Sequence, residues 1–158
     1  MIRVGLISLV IAALMLPGCG KLAEKAVEKG TGVDVDQKGN AVTIKGSDGQ
    51  QVTYSAEVPK ELKDFPVPNG FKLDSGGSVS SNADKTAVAV WKGKSTISAV
   101  IDFYKNTMPG KGWKEDSNFT TDDGGLLSYS KDGNSVMVTI DKSSDQIEIS
   151  VILGKASQ

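Results

Sequence analysis

Two residue types that often carry chemistry are scarce in this sequence. There is no histidine among the 158 residues, and there is one cysteine. Catalytic triads and dyads that use an imidazole base are therefore excluded, as are metal sites built on histidine. A lone cysteine also cannot form a disulfide within the chain. No metal and no other cofactor is expected.

The sequence also lacks an excess of positive charge and a long apolar run. Lys and Arg number 18 against 19 Asp and Glu, a net charge of −1 that argues against nucleic-acid binding. The apolar stretch at residues 4–16 would span about 20 Å as a helix, which is short of the ~30 Å hydrocarbon core of a membrane. Hydrophobic residues make up 39% of the chain, as in an ordinary folded domain. Together these features favour a small anchored or binding protein over an enzyme.

The N-terminal residues have the form of a secretion signal. Arg3 precedes the apolar stretch, which ends in Leu16-Pro17-Gly18-Cys19. This ending resembles the lipobox of bacterial lipoproteins, in which Leu, a small residue and Gly or Ala precede the cysteine. The resemblance implies that residues 1–18 are a signal peptide cleaved between Gly18 and Cys19. It also implies that Cys19 carries diacylglycerol through a thioether and an N-acyl chain such as palmitate. The alternatives are a cleaved signal with a coincidental free thiol, or an uncleaved anchor.

The predicted anchor determines where the protein is expected to work. Each buried methylene contributes about 0.8 kcal/mol, so two or three acyl chains hold a protein on a bilayer. We therefore expect a lipid-anchored protein of the cell envelope, facing the periplasm or the exterior. Gly20 follows the cysteine, and the lack of an aspartate there resembles lipoproteins sent to the outer membrane where a host has two membranes.

The residues after the anchor divide into three predicted parts. Residues 19–32 comprise the lipidated cysteine and a short spacer helix of good helix formers. Residues 33–55 alternate in the strand period between turn signals and predict a small β-meander. An apparent calcium loop that begins there fails because Lys38 and Lys45 occupy ligand positions. Residues 56–70 hold three of the five prolines and predict a linker.

Residues 71–153 predict the main domain, followed by a tail at 154–158. Residues 86–91 predict a strand, and Ser95 is placed to cap a helix. The apolar positions of that helix recur every three or four residues: Ile97, Val100, Ile101, Tyr104 and Met108. Four alternating segments follow, at 113–120, 126–130, 135–140 and 146–153. The fold class expected is α+β: an antiparallel sheet with one packed helix in the order strand–helix–four strands, preceded by the short helix and the meander.

This order is similar in topology to helix-grip or TBP-like domains of envelope lipoproteins, including an accessory lipoprotein of the outer-membrane β-barrel assembly machine. The sequence more closely resembles a group of uncharacterised bacterial lipoproteins. The resemblance to that group rests on the lipobox, the VTIKGSDGQ hairpin, the DFPVPNG junction and the VIDFYKNTMPGKGWK helix. It implies location and leaves the activity open.

Three functions remain after these exclusions. The first is a non-enzymatic domain for protein–protein interaction or scaffolding, with an envelope protein as partner. The second is a module that binds a small apolar or glycan ligand between helix and sheet, lined by Tyr104, Trp113 and Leu127. The third is a hydrolase using a Ser-Lys dyad or paired carboxylates. Adjacent carboxylates at 115–116 and 122–123 point to opposite faces of a strand, which disfavours the third.

Overall fold

The structure, a computed structural model, describes residues 34–46, 48–82 and 85–156. Gly18 and Cys19, the predicted signal peptide and the spacer helix lie outside these residues. Within them, no helix is long and apolar enough to cross a membrane.

The described part of the chain forms one nine-stranded antiparallel sheet with one α-helix. The strands stand in the order β1-β2-β3-β4-β5-β9-β8-β7-β6. A short 3₁₀ helix, Lys60–Leu62, lies between β3 and β4, and the α-helix α1, Ile97–Gly110, lies between β5 and β6. The strands are β1 Asp34–Lys38, β2 Ala41–Lys45, β3 Gln51–Ser55, β4 Lys72–Ser81, β5 Thr86–Gly93, β6 Lys114–Thr120, β7 Gly124–Lys131, β8 Asn134–Ser143 and β9 Gln146–Lys155.

The expected α+β class is wrong, because the described chain is predominantly β with a single α-helix. The main reason is β4, whose sequence KLDSGGSVSS shows little apolar alternation and whose two glycines predict a turn. β4 pairs with β3 on one side and with β5 on the other. The meander and the later strands therefore belong to one continuous sheet.

The core lies between α1 and the half of the sheet formed by β5, β9, β8 and β7. Helix residues Val100, Tyr104 and Met108 are fully buried. They pack in one cluster with the sheet residues Ala87, Ala89, Trp91, Leu127, Tyr129, Val136, Val138, Ile140, Ile147, Ile149 and Val151. Because side chains alternate along a strand, these residues define the face of the sheet that the helix covers.

The ends of α1 are fixed by local hydrogen bonds. Thr96, rather than the predicted Ser95, is the N-cap, and its Oγ1 accepts a hydrogen bond from the Ala99 amide at 3.2 Å. At the other end Gly112 has φ +80°, and the Trp113 amide donates to the Met108 carbonyl at 3.1 Å. This left-handed glycine turns the chain back and sets Trp113 against the end of the helix.

The proline-rich segment packs on the core rather than standing free of it. Leu62 is 1% exposed. The Phe65 ring lies 6.4 Å from Trp91 and 5.8 Å from Tyr104, measured between ring centroids. The segment predicted as a linker thus supplies buried aromatic contacts between β5 and α1.

Charged residues mark both edges of the described sheet. β1, at one edge, has the sequence DVDQK, and Lys45 of β2 lies 3.7 Å from Asp34 and 3.9 Å from Asp36. β6, at the other edge, begins Lys-Glu-Asp and contains a register shift between Glu115 and Ser117. Charges and bulges on edge strands discourage the addition of further strands.

Candidate functional site

The three residues predicted to line a ligand pocket have different surroundings. Tyr104 and Leu127 are fully buried in the core between α1 and the sheet. Trp113 is half-buried and packs against that core. Only Trp113 therefore presents a surface that a ligand from solvent could contact.

Two tyrosine hydroxyls lie inside the core. The hydroxyls of Tyr104 and Tyr129 are buried, and neither has a hydrogen-bond partner among the described residues. Burial raises the pKa of Tyr129 to about 12, and the nearby Glu115 carboxylate adds to the shift. Burial also raises the pKa of Tyr104, with a further contribution from Tyr129. Both phenols are therefore neutral at physiological pH.

One cleft lies near each end of α1. One, of about 310 Å³, lies beside Trp113 and is lined also by Leu62, Phe65 and Leu153. The Lys131 ammonium stands at this cleft and donates a hydrogen bond of 2.7 Å to the Lys111 carbonyl. This cleft has an apolar floor and a charged rim.

The second cleft, of about 620 Å³, lies at the start of α1 and is mixed in charge. Asp102 and Lys105 of the helix, Asp122 of the β6–β7 loop and Lys142 of β8 line it. The described residues contain no group of three or more His, Cys, Asp or Glu side chains that could hold a metal ion. Of the other adjacent carboxylates, Asp116 accepts a 2.9 Å hydrogen bond from the Ser130 hydroxyl, and Glu115 accepts one from the Asn118 amide.

The opposite face of the sheet, which α1 does not cover, carries most of the exposed large apolar side chains. Residues directly opposite each other in paired strands point to the same side, so the strand register assigns them to this helix-free face. Its exposed members are Tyr54 44%, Phe119 70%, Leu126 40%, Met137 40% and Ile152 37%. Scattered single apolar residues are ordinary, but these lie on one face.

Three neighbouring rows on the helix-free face contain no charged residue between β2 and β7, and we call them, with Phe119 of β6, the neutral patch. Lys114 of β6, which pairs with Ser130, lies at its edge. The central row runs across seven strands through Val42, Tyr54, Val79, Val88, Ile152, Met137 and Ser128. The row on one side holds Ile44, Val52, Ser81, Thr86, Gly154, Ser135 and Ser130. The row on the other side holds Val90, Ser150, Thr139, Leu126 and Phe119. In a chain with 23% charged residues, such a surface stands out.

A row of charged residues borders the neutral patch. Lys92, Glu148 and Asp141 lie side by side on β5, β9 and β8. The Lys92 ammonium is 3.2 Å from a Glu148 oxygen and 3.3 Å from an Asp74 oxygen. The hydrogen bond from the Lys92 ammonium to Glu148 raises the pKa of Lys92 most, and the hydrogen bond to Asp74 raises it further. Lys92 is therefore already paired with two carboxylates of the same chain, and Lys72, opposite it on β4, is the second lysine of this border.

The two halves of the sheet carry their main apolar residues on opposite faces. In β2 and β3 the apolar residues lie on the helix-free face, and the other face carries Thr43 and Thr53, whose hydroxyls are 3.1 Å apart. In β8 and β9 the strongest apolar residues lie under the helix. The meander thus extends the neutral patch rather than the core. Its alternation predicts one apolar face, but the side on which that face lies depends on the pairing of β3 with β4.

Comparisons with known proteins give one match. A family model described as START domain-like, for an uncharacterised family, matches residues 73–147, just under half of the chain. That range runs from β4 into the start of β9 and includes α1. Neither a curated protein nor a solved structure matches the chain at a significant level.

Proposed function

We propose that the chain is a lipid-anchored bacterial cell-envelope lipoprotein whose sheet domain binds a protein partner through the neutral patch and catalyses no reaction. The observation that carries the interaction is the patch itself, a wide surface with exposed Tyr54, Met137 and Ile152 and no charged residue between β2 and β7. Exposed large apolar side chains gathered on one face of a small domain mark an interaction site. Charged residues are depleted in the cores of protein interfaces, and aromatic residues and Met are enriched there.

The anchor rests on the sequence Leu16-Pro17-Gly18-Cys19. Diacylglycerol on Cys19 and an N-acyl chain would fix the domain at a membrane surface, facing the periplasm or the exterior. The outer membrane is the proposed site in a host with two membranes, since Gly20 follows the cysteine. After loss of residues 1–18 the chain would hold 17 basic and 19 acidic residues, so acyl chains rather than charge would hold it there.

The anchor is tested by metabolic labelling with a lipid analogue in cells that express the full chain. We expect the wild-type protein to be labelled and Cys19→Ala to be unlabelled, with a matched Ser98→Ala variant labelled like wild type. Equal labelling of Cys19→Ala and wild type would exclude this anchor.

The interaction is tested by photo-crosslinking in intact cells. A photoreactive amino acid at position 152 of the neutral patch is compared with one at position 98, on the exposed side of α1. We expect protein adducts from position 152 and few from position 98. An absence of protein adducts at position 152, in a variant with unchanged folding, would overturn the interaction function.

A second candidate function is ligand binding at the cleft beside Trp113. The half-buried indole and the apolar floor formed by Leu62 and Phe65 favour it. An environment-sensitive naphthalene sulfonate dye is a suitable probe. Saturable dye binding that Trp113→Ala abolishes, and that Ile152→Asp leaves intact, would support this function. Absence of saturable binding to the folded wild-type chain would remove it.

A further inference from the structure

The neutral patch has the dimensions of a protein interface. Val42 and Met137, near the two ends of its central row, are five strand spacings apart, which is about 24 Å. The three rows are two side-chain repeats across, about 14 Å between the outer rows. With a margin of half a spacing on each side, the patch covers roughly 600 Å². Two such patches in contact would bury about 1,200 Å² in total, which lies within the range of stable specific interfaces.

The chemistry of the neutral patch limits the kind of partner that can bind to it. Between β2 and β7 it offers no charge to a basic or acidic partner, and Lys92 at its border is paired with Asp74 and Glu148. A lipid surface fits poorly, because the outer rows are rich in Ser and Thr hydroxyls such as those of Ser150 and Thr139. Such hydroxyls would lose their hydrogen-bond partners in hydrocarbon. Another uncharged sheet face, with hydroxyls and apolar side chains in similar proportion, matches the patch.

The arrangement of the central row makes a second copy of the chain such a match. Its six large residues lie evenly about the boundary between β4 and β5, where Val79 pairs with Val88. A two-fold axis along the strands at this boundary would place Tyr54 of one copy over Ile152 of the other. An axis along the row would place each residue over its own counterpart. In either arrangement the apolar residues of the central row meet apolar residues. The axis along the row is favoured, because an axis along the strands would also bring Lys92 of one copy towards Lys72 of the other.

We infer that the protein partner of the neutral patch is a second copy of this chain, and that the two sheets pack face to face. This inference rests on the proposed interaction function and names its partner. Two sheets packed in this way lie about 10 Å apart with their strands nearly aligned. Anchoring of both copies in one membrane would raise their effective concentration and favour the contact.

The test uses two differently tagged full-length chains expressed together in one cell. We expect isolation of one tag in mild detergent to recover the other. Ile152→Asp in both chains places like charges in the contact and should reduce recovery about tenfold or more. Ser98→Asp adds the same charge to the exposed side of α1 and should leave recovery unchanged. Met137→Lys, on the strand next to Ile152, gives a second disruption with the opposite charge.

Each outcome bears on one of the two proposals. Loss of recovery with Ile152→Asp or Met137→Lys, in chains whose circular dichroism matches wild type, supports the dimer. If the wild-type tags do not recover each other while position 152 crosslinks to a different protein, the dimer is overturned and the interaction function stands. If position 152 gives no protein adduct and the tags do not recover each other, both are overturned. Equal recovery from wild type and both variants would also overturn the dimer through this face.

Discussion

Tyr54 of β3 lies directly opposite Val79 of β4 on the helix-free face of the sheet. Through this pair the apolar residues of the meander continue into those of the main sheet. The next pair in the row is Val79 with Val88, and Val88 is followed by Ile152. A surface that would be too narrow on three short strands thereby extends across most of the molecule.

A substitution at Phe119, compared with one at Leu127, tests which face of the sheet is open to solvent. Its ring is 70% exposed on the helix-free face, so we expect Phe119→Ser to change the free energy of unfolding by less than about 0.5 kcal/mol. The same change at Leu127, which is fully buried, should cost about 3 kcal/mol because it leaves a cavity and a buried hydroxyl. Urea unfolding of both variants measures the difference. Similar losses at the two positions would contradict the assignment of Phe119 to an open surface.

Leu62 tests whether the proline-rich segment is part of the folded core. Because this side chain is 1% exposed, Leu62→Ala should lower the free energy of unfolding by about 2–4 kcal/mol. Lys60→Ala, in the same 3₁₀ helix with an exposed side chain, is the matched control and should change it by less than about 0.5 kcal/mol. Denaturant titration is the measurement. An unchanged midpoint for Leu62→Ala would show that the segment contributes nothing to stability.

Thr96 and Ser95 are adjacent hydroxyl residues, of which one caps the helix. Thr96→Ala removes the hydrogen bond to the Ala99 amide and should cost about 1 kcal/mol. Ser95→Ala should cost less than about 0.5 kcal/mol. Thermal unfolding of the pair of variants distinguishes the two positions, and the reverse order of effects would place the cap at Ser95.

The buried tyrosines predict a loss of stability at alkaline pH. The folded protein holds the pKa of Tyr129 at about 12, whereas an unfolded chain ionises its tyrosines near pH 10. The stability that neutral, buried Tyr129 contributes is therefore fully present below about pH 10. It is lost as the pH rises from there toward 12. Tyr129→Phe removes an ionisable group and an unpartnered buried hydroxyl, and it should be neutral or stabilising by about 1 kcal/mol at pH 7.

The measurement is the free energy of unfolding at pH 7, 9, 10 and 11. We expect the wild-type curve to fall more steeply above pH 10 than that of Tyr129→Phe. Tyr54→Phe, a change at an exposed tyrosine, serves as the control and should follow wild type. Parallel curves for Tyr129→Phe and wild type would exclude this contribution.

The apolar periodicity of the sequence predicted several helices and strands, but it did not predict how the strands pair in the sheet. The apolar spacing from Ile97 to Met108 indicated α1, which ends two residues later at Gly110. The alternation at 135–140 and 146–153 lies within β8 and β9. These patterns are visible because burial under one helix imposes them on the sequence. β4 has no comparable pattern, since it joins the two halves of the sheet and changes register between Leu73 and Ser78.

The candidate site was less accessible to sequence reasoning than the core. Apolar residues on the helix-free face, such as Val88 and Met137, are separated by many residues in sequence and become neighbours only through strand register. The aromatic residues predicted to line a ligand pocket lie in two different environments, since Tyr104 is buried and Trp113 lines a cleft. A search of the sequence for strands whose alternate residues are uncharged could have found single strands of the patch. It could not have shown how many of those strands lie side by side.

The charged edge strands have a consequence for how this protein can assemble. Growth of a sheet by sideways addition requires an edge that accepts a new strand, and β1 and the bulged β6 both oppose this with their charges. A face-to-face contact of the kind inferred above uses one surface on each copy and leaves none for a third. Assembly would then stop at two copies instead of propagating into a filament, even where many copies of the chain are crowded together.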